Sequence, residues 1–115
     1  MAACLATQLK WAVNLSGGFH HASSNQGGGF CIYPDISFVV HYLKTRLDKR
    51  KIMIVDLDLH QGNGYQRDLR EDNEIYIVDF YHHGIQTQDF QAREAIKRDI
   101  IIDSHTTDEL SLIHI

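Results

Sequence analysis

Two cysteines, Cys4 and Cys31, are too few for the disulfide framework of a small secreted domain, and a reduced intracellular compartment is the expectation. One proline, at position 34, and no Ser- or Gln-rich tract leave no linker, repeat or boundary for a second domain. No apolar run approaches the roughly 20 residues that cross a bilayer, and the first residues lack a secretory leader pattern. Basic charge is also short. Eleven Lys and Arg against 15 Asp and Glu give a net charge of −4, so there is no electrostatic footprint for nucleic acid. An apolar share of 43% in 115 residues fits one domain with a modest core.

The most informative run is Val55-Asp-Leu-Asp-Leu-His-Gln-Gly-Asn-Gly64. Asp56, Asp58 and His60 are spaced by two, so on an extended segment all three project from one face. Two carboxylates and an imidazole on one face call for a cation, and Zn²⁺ takes both Asp oxygen and His nitrogen. Gly62 and Gly64 let the chain turn away and leave these groups at a strand end. The competing reading is a strand that ends in a polar turn with solvated acids. Ser16-Gly-Gly-Phe-His-His21 follows the apolar run Trp11–Leu15, and paired imidazoles near a metal-like cluster suggest proton handling. At Gly27-Gly-Gly-Phe-Cys31 the backbone permits close approach of a substrate, with Phe30 as an apolar wall; the rival is a phosphate cradle, although neither nucleotide-binding spacing is present.

The coarse pattern alternates between helix and strand. Ala2–Lys10 reads as a helix end and Trp11–Leu15 as a short buried strand. Ile36, Val39, Val40, Leu43 and Leu47 recur at helical spacing, so 34–48 is an amphipathic helix with Pro34 in its first turn. Lys44, Arg46, Lys49 and Arg50 read as a solvated face near its C-terminal end. Ile52–Val55 is continuous apolar, as for a strand buried on both faces. Residues 65–71 read as a short helix, 74–80 as a strand ending in Asp79, and 100–102 as a further strand before a polar turn over 103–108. Parallel pairing with right-handed crossovers follows, and such sheets bind ligands beyond the carboxyl ends of their strands. His20, His21, Asp56, Asp58, His60 and Asp79 are all expected there. His41, His105 and His114 read as surface, loop and tail residues, and Tyr65, Tyr76 and Tyr81 as packing residues. Cys31 reads as a small buried apolar residue, while His82 and His83 follow a strand end near the site without being expected ligands.

Gly-Gly-Phe-His-His-Ala-Ser-Ser, then Gly-Gly-Gly-Phe-Cys, then Asp-Leu-Asp-Leu-His-Gln-Gly-Asn-Gly resembles the zinc-dependent histone deacetylase family. The second motif and the Gln-Gly-Asn-Gly ending look most like its class IV branch. The resemblance runs from about Leu5 to about Leu110 and implies a partial catalytic domain over 1–115, with a divergent tail at 111–115 such as altered splicing or a truncated gene model leaves. It implies a three-layer α/β/α parallel sheet of the arginase/deacetylase type, incomplete at about three to four strands with raw edges. The implied activity is hydrolysis of N-acyl-lysine amides on proteins such as histone tails, in the nucleus, the cytoplasm or both.

By resemblance, Asp58 and His60 are two of three zinc ligands and His21 is the general base. His20 is its neighbour, kept basic by Asp56. Gly29 and Phe30 line the acyl-lysine tunnel, and Asp56 and Asp79 match a structural potassium site. Where many members carry an Asp that pairs with the second His, Asn63 stands, which disfavours a cationic His21. The segments with the third zinc ligand, an Asp, and the oxyanion-stabilising Tyr do not occur in this chain, and Gln86-Thr87-Gln88 stands where class IV has a Pro-Gly turn. Little or no hydrolysis and weak metal binding are therefore expected of the isolated chain. The alternatives are a non-catalytic truncated product that binds partners, and an enzyme like the acetylpolyamine amidohydrolases, which share the paired His and the Asp-x-Asp-x-His pattern.

Overall fold

A computed structural model describes residues 2–85 and 89–106. The expectations for Gln86–Gln88, His114 and the tail fall outside these residues. The elements in chain order are α1 (Ala2–Leu9), α2 (Asp35–Leu47), β1 (Ile52–Asp56), α3 (Asn63–Leu69), β2 (Ile75–His82), α4 (Phe90–Arg93) and β3 (Arg98–Ile102). The strands form one parallel sheet in the order β1-β2-β3. The α/β class and the incomplete sheet are as the sequence implies, with three strands among the described residues.

Alternation along the strands fixes the core. Ile52 and Ile54 of β1 and Ile75 and Ile77 of β2 pack with Val40 of α2, Tyr65 and Leu69 of α3, and Ala95 and Ile96 just after α4. Complete burial of a side chain such as Ile77 contributes about 1.5–3 kcal/mol. The opposite face carries Met53, Val55 and Tyr76, all exposed. This corrects the reading of 52–55 as buried on both sides and of Tyr76 as a packing residue: the core built with α2 and α3 covers the other side of these strands. Among the described residues no helix is long and apolar enough to cross a membrane.

Trp11–Leu15 is not a strand. It joins no ladder, and Trp11, Val13 and Leu15 are exposed, Leu15 almost completely. An apolar five-residue run becomes a strand only when a neighbour pairs with it, and among the described residues β1 pairs only with β2. Pro34 takes the N-cap position rather than the first turn, and its carbonyl accepts the Phe38 N–H at 2.9 Å. At the other end Asp48 adopts the left-handed conformation that closes α2.

Lys44 does not belong to a solvated face. Its Nζ lies 2.5 Å from Asp72 Oδ2 and 2.8 Å from Glu74 Oε2, tying α2 to the turn that leads into β2. The Lys44 hydrogen bond holds the Asp72 carboxyl below its ordinary range despite some desolvation. A carboxyl depressed on folding contributes stability above its unfolded pKa and loses it as pH falls through the folded value. Lys44→Met is thus expected to lower the urea midpoint at pH 7, with the difference from the native chain closing below about pH 3.

Candidate functional site

The polar cluster sits where β1 ends and the chain turns into α3. Only Asp56 is on the strand; the extended run anticipated through His60 is instead two successive side-chain turns. Asp56 Oδ1 accepts the Asp58 N–H at 3.1 Å, and Asp58 Oδ1 accepts the His60 N–H at 2.8 Å. Each carboxylate thereby shapes the turn that presents the next polar residue. The spacing of two still brings the groups together, by this local bonding rather than by pleat. Asp79 is likewise not at a strand end: β2 continues to His82, and Asp79 pairs in register with Asp56.

The two histidines arrive on the loop between α1 and α2, which is pinned twice. The Asp35 carboxylate accepts the N–H groups of Gly18 and Phe19 at 2.7 and 2.8 Å. Asp68 accepts the Ser24 N–H, at 2.9 Å to Oδ2, and its hydroxyl at 2.8 Å. Gly64, inside α3, then donates its N–H to the His20 carbonyl at 2.9 Å. A Cβ at Gly64 would overlap the backbone of His21 and Ala22, so only glycine admits this approach. Neither Asp35 nor Gly64 was identified as part of the site from sequence, because both act on a loop far away in the chain. The only sequence signal was Asp35 at a helix start and a second glycine after the acidic run.

His20 and His21 are both buried, with ring centroids 4.0 Å apart. His20 Nδ1 lies 2.9 Å from Asp56 Oδ2, and its Nε2 lies 3.6 Å from Asp58 Oδ1. Burial pulls the His20 pKa down, but the Asp56 hydrogen bond and the charges of Asp56, Asp58 and Asp79 outweigh it, and the net shift is upward. His21 Nδ1 lies 2.8 Å from Asn63 Oδ1. For His21 burial wins over that neutral partner, helped by His20 and His60, and its pKa is lowered. An Asn oxygen accepts the Nδ1 proton and leaves Nε2 free as a base. Asn63→Asp is expected to raise the His21 midpoint by about one pH unit or more, read from imidazole NMR shifts.

Asp58 and His60 are partly open to solvent, with His60 Nδ1 3.0 Å from Asp58 Oδ1. Burial pushes the Asp58 carboxyl up, but the His60 backbone and side-chain bonds bring it below its ordinary value. Among the described residues no group of three or more His, Cys, Asp or Glu side chains is placed so that it could hold a metal ion. Beneath this pair Asp79 is wholly buried. Its Oδ2 accepts the Gly62 N–H at 3.1 Å and the Gln66 side-chain amide, while Oδ1 has no partner. Burial and the nearby Asp56 charge raise the Asp79 carboxyl to about 7.

Gly29 lies over the His21 ring, which a Cβ there would strike, and Phe30 holds a left-handed backbone with its ring fully exposed. Gly29 thus sits against His21, while the Phe30 ring is open to solvent. Cys31 is buried, and His41 and His105 are exposed, as anticipated. His82 touches the acidic loop through its backbone, donating to the Leu59 carbonyl at 2.9 Å, while its ring accepts the Gly84 N–H.

The parallel α/β sheet thus gathers buried histidines and carboxylates beside the carboxyl end of β1, where open sheets of this class bind ligands. The histone deacetylase domain model matches residues 1–109, and the chain belongs to that family. It is 46% identical over 110 residues to histone deacetylase 2 of Arabidopsis thaliana, covering 95% of this chain and 28% of that protein. It is 37% identical over 71 residues to the acetoin utilization protein AcuC of Staphylococcus aureus, covering 62% of this chain and 18% of that protein. It is also 33% identical over 64 residues to histone deacetylase 6 of Caenorhabditis elegans, covering 56% of this chain and 7% of that protein. The chain thus spans well under a third of the length of these relatives.

Proposed function

We propose that this chain carries the base-bearing half of the active site of a zinc-dependent lysine deacylase of the class IV type, acting inside the cell on acyl-lysine proteins such as histone tails. The observation that carries this reading is the pairing of two unlike histidines, one on Asp56 and one on Asn63, beside Asp58 and His60.

The donor set fits zinc in part. Bonds of about 2.0–2.1 Å around a tetrahedral zinc place neighbouring ligand atoms about 3.3 Å apart. Asp58 Oδ1 and His60 Nδ1, at 3.0 Å, need little movement to match. These two residues would hold the ion, with the family's third ligand and its oxyanion donor lying outside the residues of this chain. When bound, zinc supplies Lewis-acid polarisation of an amide carbonyl and acidifies water. His21, whose lowered pKa keeps it neutral near pH 7, takes the proton at Nε2. His20 stays the more basic of the pair through Asp56 and is suited to hold a positive charge beside it. Gly29 and Phe30 contact the acyl-lysine stem. The unpartnered Asp79 Oδ1 beside Asp56 fits the structural potassium ion expected from the resemblance.

A chimera tests the reading. Replacing the matched 110 residues of the Arabidopsis relative by this chain should give a zinc-dependent deacylase, and Asp58→Ala within it should lower turnover about 1,000-fold or more. A folded, zinc-loaded chimera without deacylase activity would overturn the assignment. The polyamine reading is separated by offering the same chimera acetylated polyamines.

A further inference from the structure

Gln61 and Gln66, both buried, tie the acidic turn after β1 to the start of α4. The Gln61 side chain meets both backbone groups of Asp89. Its Oε1 accepts the Asp89 N–H at 3.1 Å, and its Nε2 donates to the Asp89 carbonyl at 3.1 Å. The second Nε2 hydrogen goes to Gln66 Oε1 at 2.9 Å, and Gln66 Nε2 donates to Asp79 Oδ2. We propose that Gln61 is a positioning residue: it clamps the turn that carries His60 and Asn63 to the Asp89 backbone, and through Gln66 it aims a donor at Asp79.

One peptide group fixes the sense of the whole network. A backbone N–H can only donate, so the Gln61 atom facing it is the oxygen, and the nitrogen faces the Asp89 carbonyl and Gln66. Gln66 then offers its oxygen to that nitrogen, which leaves its own NH₂ for the Asp79 carboxylate. One bond accepted and two donated at the same time suit an amide. A carboxylate has no hydrogen to give, and a neutral imidazole has only one. The anchor is itself firm. The Asp89 carboxylate accepts the Ala92 N–H at 3.1 Å and pairs with Arg67 of α3, and its carbonyl also accepts the Arg93 N–H at 3.0 Å.

Gln61 lies between two functional positions. His60 precedes it, and its carbonyl accepts the Asn63 N–H at 2.8 Å, within the turn that presents Asn63 to His21 Nδ1. Releasing the side chain frees this turn and takes a buried partner from the Asp89 N–H and from Gln66 Oε1. The effect on turnover rests on the deacylase assignment of His60 and His21; the clamp itself does not.

The test is Gln61→Glu in the full 115-residue chain, which keeps the volume and removes both donated bonds. The imidazole signals of His21 and His60 should shift, and the His21 Nδ1 proton should exchange with water about 10-fold faster as its bond to Asn63 loosens. Lys44→Met, which breaks the ion pairs with Asp72 and Glu74 without touching the amides, should leave those signals in place and so separates positioning from general loss of stability. In the active chimera, Gln61→Glu should lower kcat about 10–100-fold with KM within about twofold, as for a small misplacement of reacting groups. Should the variant not fold, the native chain decides. Its Gln61 side-chain protons should exchange slowly and show couplings across the hydrogen bonds to the Asp89 carbonyl carbon and to Gln66 Cδ. Unmoved imidazole signals in Gln61→Glu, or Gln61 side-chain protons that exchange like a free amide, would overturn the clamp and leave the deacylase reading standing. A folded, zinc-loaded parent chimera without activity removes the deacylase reading instead, and the imidazole signals still decide the clamp.

Discussion

Gly64→Ala is expected to lower the stability of the chain by about 3 kcal/mol, the upper range for forcing a methyl group into a packed site. The reason lies in what the glycine approaches. Its N–H reaches the His20 carbonyl at 2.9 Å, and a Cβ there would meet the backbone of His21 and Ala22, not a side chain that can rotate aside. The histidine loop must back away from α3 or the first turn of α3 must unwind. Either movement carries His20 from Asp56 and His21 from Asn63, so the loss of stability should come with loss of the distinct imidazole signals. Urea melts with the same samples in NMR check both together. An alanine variant within about 0.5 kcal/mol of the native chain, the level of an ordinary surface change, would show that the loop does not depend on this approach.

Asp79→Asn is expected to stabilise the chain at pH 8 in sodium buffer. The Asp79 carboxyl titrates near 4 in an unfolded chain and is raised to about 7 here by burial and by Asp56. Between those values the folded chain binds the proton more tightly than the unfolded one, so stability falls as pH rises from about 4 to about 7 and levels off above. The accumulated loss is on the order of 4 kcal/mol. An amide removes it while keeping an acceptor for Gly62 and Gln66. The NH₂ left at the unpartnered position costs about 1–2 kcal/mol, so the net gain at pH 8 is about 2–3 kcal/mol. Potassium should narrow this gap by stabilising the native chain and not the variant. Equal pH slopes for the two proteins would contradict the assignment of Asp79 as a buried, charge-strained group.

Much of this was legible in the sequence because it is local. The helix over 35–47 follows from Ile36, Val40 and Leu47, and the parallel sheet from three apolar runs separated by helical spacing. The pairing of His21 with Asn63 is the one the family resemblance implies. What escaped depends on packing. Whether Met53 and Val55 are covered is decided by where the helices pack, which no feature of a four-residue run reveals. Trp11–Leu15 has strand composition but lacks a neighbour. Asp58 and His60 owe their positions to carboxylate-shaped turns that share the spacing of a strand but not its backbone. Asp35, Gly64 and Gln66 support the site from elements whose approach is set only in three dimensions.

The most direct measurement is isothermal titration of Zn²⁺ into the metal-free chain, side by side with Asp58→Ala. Weak binding of one equivalent by the native chain and none by the variant is the expected result, and it would show that the inherited pair still engages the metal. Binding of equal strength in both would contradict the account at its centre, since the ion would then be held somewhere other than Asp58 and His60.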